Sequence, residues 1–142
     1  MAKFLTLNTH SWMEEEQESK LNQLAERILQ EKYDVICLQE VNQLVESEQV
    51  VQAPFYYAVD GAIPIHQDHY ALLLVEKLAE AGMDYYWSWV YNHIGFDIYN
   101  EGVAILSRKP LKARELLVSD VNDPSDYHTR KVLLAETELD GQ

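Results

Sequence analysis

Two short apolar runs, Lys3-Phe4-Leu5-Thr6-Leu7 and Asp34-Val35-Ile36-Cys37-Leu38-Gln39, flank a single amphipathic helix pattern. Leu21, Leu24, Ala25, Ile28 and Leu29 form the stripe of that helix at a period near 3.6. A strand, a helix and a second strand of this length predict a parallel crossover unit. Both strands then point the same way, so Asn8 and Glu40, which follow them, emerge at one end of the sheet. Ligands bind at that end of open parallel sheets. An amide oxygen and a carboxylate converging there are hard oxygen donors. They suit a Mg2+-type site (Mn2+ is the other ion of this kind), which needs one or two protein carboxylates and keeps its waters for a phosphate substrate. A strand-end Asn is also a common turn residue. A carboxylate at the end of a buried strand is costly unless it is paired or bound to a metal.

Further along, Val41 to Pro54 reads as a short polar helix around Leu44 and Val45, Phe55 to Val59 as a strand, and Asp60 to Gln67 as a loop. Asp68 to Ala81 predicts a second helix, with Asp68 as its cap and Gly82 as its stop. Tyr85 to Tyr91 alternates as a strand should. Asn92 to Asn100 reads as a loop, Gly102 to Ser107 as a strand ended by Pro110, and Glu115 to Ser119 and Lys131 to Leu139 as two more strands around a loop at Asn122 to Tyr127. Asp140-Gly141 is a hairpin turn signal. With no strand after it, the expectation is a single domain over residues 1–142 that continues in a longer protein.

The 142 residues suffice for one domain with a core, and a hydrophobic fraction of 47% fits a globular chain. No apolar run is long enough to span a bilayer. The strand pattern that starts at Lys3 leaves no room for a signal peptide. The lone Cys37 cannot staple the fold and reads as a small buried hydrophobe. These features favour a cytoplasmic protein without membrane contact. The net charge of -13, from 11 Lys plus Arg against 24 Asp plus Glu, argues against duplex DNA, whose affinity comes from basic side chains on phosphates. A small phosphorylated partner with a metal to neutralise it is easier to accommodate.

Other candidates have bland alternatives. His66 and His69 have a His-x-x-His spacing, but no Cys or His pattern completes a zinc set. Substrate contact or plain surface is the expectation for both. His10, two residues past Asn8, could line the site or sit in a solvated loop. His93 and His128 read as ordinary loop histidines. Trp12, Trp87 and Trp89 could stack on a sugar, but Trp87 and Trp89 share one strand face, which favours core packing. Glu14, Glu15, Glu16 and Glu18 read as a solvated helix entry, favoured by the helix dipole.

Three segments together carry a family resemblance: Phe4-Leu5-Thr6-Leu7-Asn8, Asp34-Val35-Ile36-Cys37-Leu38-Gln39-Glu40-Val41 and Glu101-Gly102-Val103-Ala104-Ile105-Leu106-Ser107-Arg108. Their order and spacing resemble the N-terminal half of the endonuclease/exonuclease/phosphatase superfamily. The middle of the chain is most similar to bacterial sugar-phosphate phosphatases, the maltose phosphate phosphatase group among them. The resemblance implies an α+β fold, a four-layer α/β/β/α sandwich of two mixed sheets, represented here by its N-terminal half. It implies that Asn8 and Glu40 help to hold a catalytic Mg2+. Tyr99-Asn100-Glu101 resembles a Tyr-x-Glu in which the Glu orients a catalytic His, although Glu101 could simply pair with a nearby Lys or Arg. Arg130 resembles the arginine that faces the substrate phosphate. The second half of the family supplies a further His, an Asp-x-Asn motif that positions substrate and nucleophile, and a terminal Asp-His pair that activates water; the resemblance here covers the N-terminal half.

Two classes of function follow. One is the metal-bearing part of a Mg2+-dependent phosphoester hydrolase, a phosphomonoesterase on a small metabolite or, alternatively, a nuclease-like or sphingomyelinase-like phosphodiesterase. The other is a non-catalytic half-domain. In either case the 142 residues alone are expected to be inactive and to self-associate through unpaired edges or await a C-terminal half.

Overall fold

A computed structural model describes residues 1–141. The first three elements are the crossover unit: β1 (Phe4–Asn8), α1 (Gln17–Glu31) and β2 (Val35–Leu44). β1 and β2 pair in parallel, Leu5 opposite Ile36 and Asn8 opposite Gln39. After α2 (Tyr70–Glu80) come β3 (Tyr86–Gly95) and β4 (Tyr99–Ser107), an antiparallel hairpin that joins the sheet in the order β1-β2-β4-β3. β5 (Leu111–Leu117) and β6 (Lys131–Thr137) form a separate antiparallel ribbon.

Strand alternation divides the four-stranded sheet into two faces. On one, Ile36, Leu38, Trp87, Trp89, Ala104 and Leu106 meet Leu21, Ala25 and Ile28 of α1 and Leu74, Val75 and Leu78 of α2 in the main core. On the other, Val90 packs with Leu133 of β6 and Val59, flanked by Val103, Ile105 and Ala113. Helices, sheet and ribbon are thus three layers of an α+β sandwich built from two sheets.

Several sequence expectations shift. Val41 to Leu44 is not a short helix. It continues β2 beyond a bulge between Leu38 and Val41, because its backbone finds β4 partners from Gly102 to Tyr99. Most of the presumed loop from Asn92 to Asn100 is hairpin. β3 runs on to Gly95, and the turn at Phe96 (φ 51°) and Asp97 (φ 62°) has two left-handed residues, the combination a tight hairpin demands. Phe55 to Val59 contributes only an isolated bridge, Tyr56 to Trp87. β5 begins at Leu111, directly after Pro110, instead of at Glu115. α2 is capped by His69 and not by Asp68, whose carboxylate accepts from the Leu44 N–H at 2.8 Å and the Ser47 hydroxyl at 2.5 Å. Gly82 follows the helix at φ 89°, a conformation open to glycine.

Among the described residues no helix is long and apolar enough to cross a membrane. Cys37 is a free thiol of intermediate burial, and that burial pushes its pKa up.

Candidate metal and phosphate site

The parallel pairing of β1 with β2 sets Asn8 beside Gln39, one residue before Glu40. Glu40 lies within β2 and not at its end, in the bulge, where its backbone turns left-handed at φ 54°. A non-glycine residue held there costs about 1 to 3 kcal/mol and persists only where its surroundings over-determine it. The bulge re-aims the side chain, as bulges beside active sites commonly do.

The loop after β1 folds back over this point. Asn8 Oδ1 accepts from the His10 N–H at 3.1 Å. The His10 ring bridges two carboxylates, with Nδ1 3.1 Å from Glu14 and Nε2 3.6 Å from Glu40. The Lys20 ammonium, 2.8 Å from Glu14, holds the Glu14 carboxyl below its usual range. His10 therefore stands at the site, beside a Glu40 carboxylate that remains partly open to solvent.

Glu101 on β4 lies across the sheet from Asn42 of β2 and His93 of β3. His93 Nε2 is 3.1 Å from Glu101 Oε2, and both side chains are largely buried. Burial raises the Glu101 pKa, the nearby Glu40 charge adds to the rise, and His93 and Arg130 oppose it. These four titratable groups therefore share one electrostatic neighbourhood. Arg130 comes from the segment before β6. Its guanidinium donates to the Tyr127 and Thr129 carbonyls. That segment docks on β3: the Ile94 N–H donates to the Pro124 carbonyl at 2.7 Å, and the Lys131 N–H donates to Asn92 Oδ1.

His93, read from sequence as an ordinary loop histidine, is thus the partner of Glu101. The signal lay in the hairpin: with the three-residue turn placed at Phe96 to Ile98, His93 and Glu101 fall opposite each other. Glu101 takes a histidine, and not the Lys or Arg that the bland reading offered.

His66 and His69 stand apart from this group and are not surface residues. His69 is fully buried against Trp87 and Trp89, with ring centroids at 5.1 and 4.6 Å. Its Nδ1 accepts from the Ala71 and Leu72 N–H groups and so caps α2. Burial lowers its pKa to about 3. His66 Nδ1 lies 2.8 Å from the Leu44 carbonyl and 3.1 Å from Ser47 Oγ. Facing a carbonyl, that nitrogen carries the proton and cannot take one from Ser47, which donates to Asp68. The trio is a loop clamp, not a nucleophile with its base. Trp12 donates to the Asp68 carbonyl at 2.9 Å and packs edge-on to Tyr70. Trp87 and Trp89 are core, as their shared face predicts. His128 pairs with Asp126 at 2.8 Å in an exposed turn.

Among the described residues no three His, Cys, Asp or Glu side chains gather as a metal cage. The Asn8 and Glu40 donors still fit a hard divalent ion that keeps most of its waters, because both are oxygen donors and, among the described residues, the Glu40 carboxylate is ion-paired with His10 alone.

A profile of the Endonuclease/Exonuclease/phosphatase family matches residues 12–141. A solved structure of an endonuclease/exonuclease/phosphatase family protein from Leptotrichia buccalis is 34% identical and superposes with a TM-score of 0.86, over 100% of this chain and 50% of that one. An endonuclease/exonuclease/phosphatase from Beutenbergia cavernae, 18% identical, superposes with a TM-score of 0.58 over 97% of this chain and 34% of that one. It shares the fold. The chain spans half the length of the first of these structures and about a third of the second. No curated protein matches the sequence.

Proposed function

Because this chain belongs to the Endonuclease/Exonuclease/phosphatase family, we propose that it is the metal-bearing part of a Mg2+-dependent phosphoester hydrolase acting on a small phosphomonoester. The observation that carries this reading is the parallel register that sets Asn8 beside the Glu40 bulge. Asn8 and Glu40 would hold the ion, which, when bound, supplies positive charge for a phosphate group. Arg130 would add a fixed cation on the substrate side, since a guanidinium matches phosphate geometry. Glu101 holds His93 by its Nε2 in a site of reduced water access, so the imidazole has one orientation. The net charge of -13 supports a small metabolite over a polynucleotide. A sugar phosphate is the substrate class favoured by the resemblance.

The test is Glu40→Gln in the full-length protein. It should nearly abolish Mg2+-dependent hydrolysis and leave the circular dichroism spectrum unchanged, because it removes the charged donor of the pair. Unchanged turnover at limiting Mg2+ would reject the site. On a panel of sugar phosphates, nucleotides, bis-p-nitrophenyl phosphate and duplex DNA, faster cleavage of the diester or of DNA than of every monoester would reject the substrate class.

A further inference from the structure

The left-handed Glu40 needs a cause, because its own side chain does not favour that backbone. The cause lies in two buried hydroxyls on the loop after β1. Thr9 donates from its N–H to the Gln39 carbonyl at 3.0 Å, and its hydroxyl lies 2.9 Å from the Glu40 carbonyl. Ser11, with no solvent exposure, donates its hydroxyl to the same Glu40 carbonyl at 2.7 Å, and the Asn42 N–H donates to Ser11 Oγ at 2.8 Å. The Asn42 side-chain amide returns to the Ser11 carbonyl at 3.1 Å. The chain just beyond the bulge is fixed from the core side, where the Trp89 indole N–H donates to the Val41 carbonyl at 3.0 Å. Gly102 leaves room for this: a Cβ there would stand 2.7 Å from Trp89 Nε1 and 2.0 Å from the Val90 carbonyl oxygen.

We propose that Ser11, with Thr9, is a positioning residue that locks the bulge and thereby fixes the Glu40 carboxylate relative to Asn8. The inference rests on the metal-site reading above. Both donors hang from one short segment. Asn8 is tied to the His10 N–H, and one residue later Ser11 is tied to the Glu40 carbonyl. A carbonyl that would otherwise lose its β-ladder partner at the bulge is satisfied by the two hydroxyls and, more weakly, by the Ser11 N–H at 3.3 Å. The backbone therefore has one arrangement at this point, and the carboxylate has one direction. Neither hydroxyl touches the ion or the substrate in this account. They act through the Glu40 backbone.

The experiment measures Mg2+ binding by titration calorimetry in the full-length protein, alongside Tm in the absence of metal. Loss of a group that orients a metal ligand weakens metal binding about 10- to 100-fold. Ser11→Ala and Thr9→Val should each do so, while Thr9→Ser, which keeps the hydroxyl, should restore the native affinity. In Ser11→Ala the Mg2+ concentration for half-maximal turnover should rise by the same factor, with kcat recovering at saturating Mg2+. If Ser11→Ala does not fold, the Thr9→Val and Thr9→Ser pair decides alone. A lowered Tm with unchanged Mg2+ affinity in Ser11→Ala and Thr9→Val, when Glu40→Gln does lose the ion, would overturn the clamp and leave the metal site standing. If Glu40→Gln binds Mg2+ as the native protein does, the metal site fails and the clamp with it.

Discussion

The two faces of the four-stranded sheet are finished to different degrees. Under the helices, Trp87, Trp89, Leu106, Leu74 and Leu78 show no exposure. Under the ribbon the buried cluster is Val59, Val90 and Leu133, and Leu111 of β5 is buried as well. The outward side of the ribbon leaves Leu116 47% and Val132 39% exposed, and surface grooves run along β5 and β6. The contrast shows where burial is concentrated. The sealed face is a rigid base, and the site is set on the sheet end above it. The candidate site draws residues from both regions: Asn8, Glu40 and Glu101 from the sheet, Arg130 from the segment that enters the ribbon.

The comparison breaks first at Trp87. Its indole is fully buried, donates to the Pro54 carbonyl at 2.9 Å and packs on His69 and Tyr56. Trp87→Ala should destabilise by about 3 to 5 kcal/mol, the range for deleting a large aromatic from a core. Urea denaturation followed by far-UV circular dichroism measures it. A cost below 1 kcal/mol would mean that the helical face is not the main core.

What the sequence made legible follows the same division. The crossover unit could be read because Leu21, Ala25 and Ile28 repeat at the helical period and the strands flank them directly. The family could be read from the strand ends around Asn8, Glu40 and Glu101. The bulge could not. Its left-handed Glu40 depends on Thr9 and Ser11, about 30 residues away, and on an indole 48 positions from Val41, and no local propensity encodes such partners. His69 was misread for a related reason. A polar residue beside a loop is by default exposed, and only the arrival of Trp87 and Trp89 buries it. His93 was missed because an assumed loop hid its cross-strand partner.

His69 sharpens the comparison through pH. Its pKa is about 3 in the fold, lowered chiefly by burial, against an ordinary value of 6.5. Between those values the unfolded chain binds a proton that the folded chain refuses. Stability from this group is therefore full above 6.5 and falls as pH drops toward 3, by about 1 kcal/mol per pH unit. His69→Asn keeps a capping side chain and removes the titration. It should be less stable than the native protein at pH 7, with a gap that narrows steadily by pH 4.5. A gap independent of pH would show that His69 titrates normally, and the face over it would then not be sealed.

The smallest effect should come from the outward side of the ribbon. Val132 and Leu133 are neighbours on β6 that face opposite ways: Val132 is 39% exposed, opposite Leu116, and Leu133 is 8% exposed in the minor cluster. Val132→Thr swaps a methyl for a hydroxyl at nearly constant volume, and water already reaches the position. The strand preference is kept, since both residues are β-branched. The cost should stay within about 0.5 kcal/mol, while Leu133→Thr buries an unpaired hydroxyl and should cost about 1 to 3 kcal/mol. Urea denaturation of both variants at two protein concentrations measures the difference. Equal costs would erase the distinction between the two sides of the strand. A Val132→Thr cost that grows with protein concentration would show that the outward face is covered by a second copy of the chain, because only association makes stability depend on concentration.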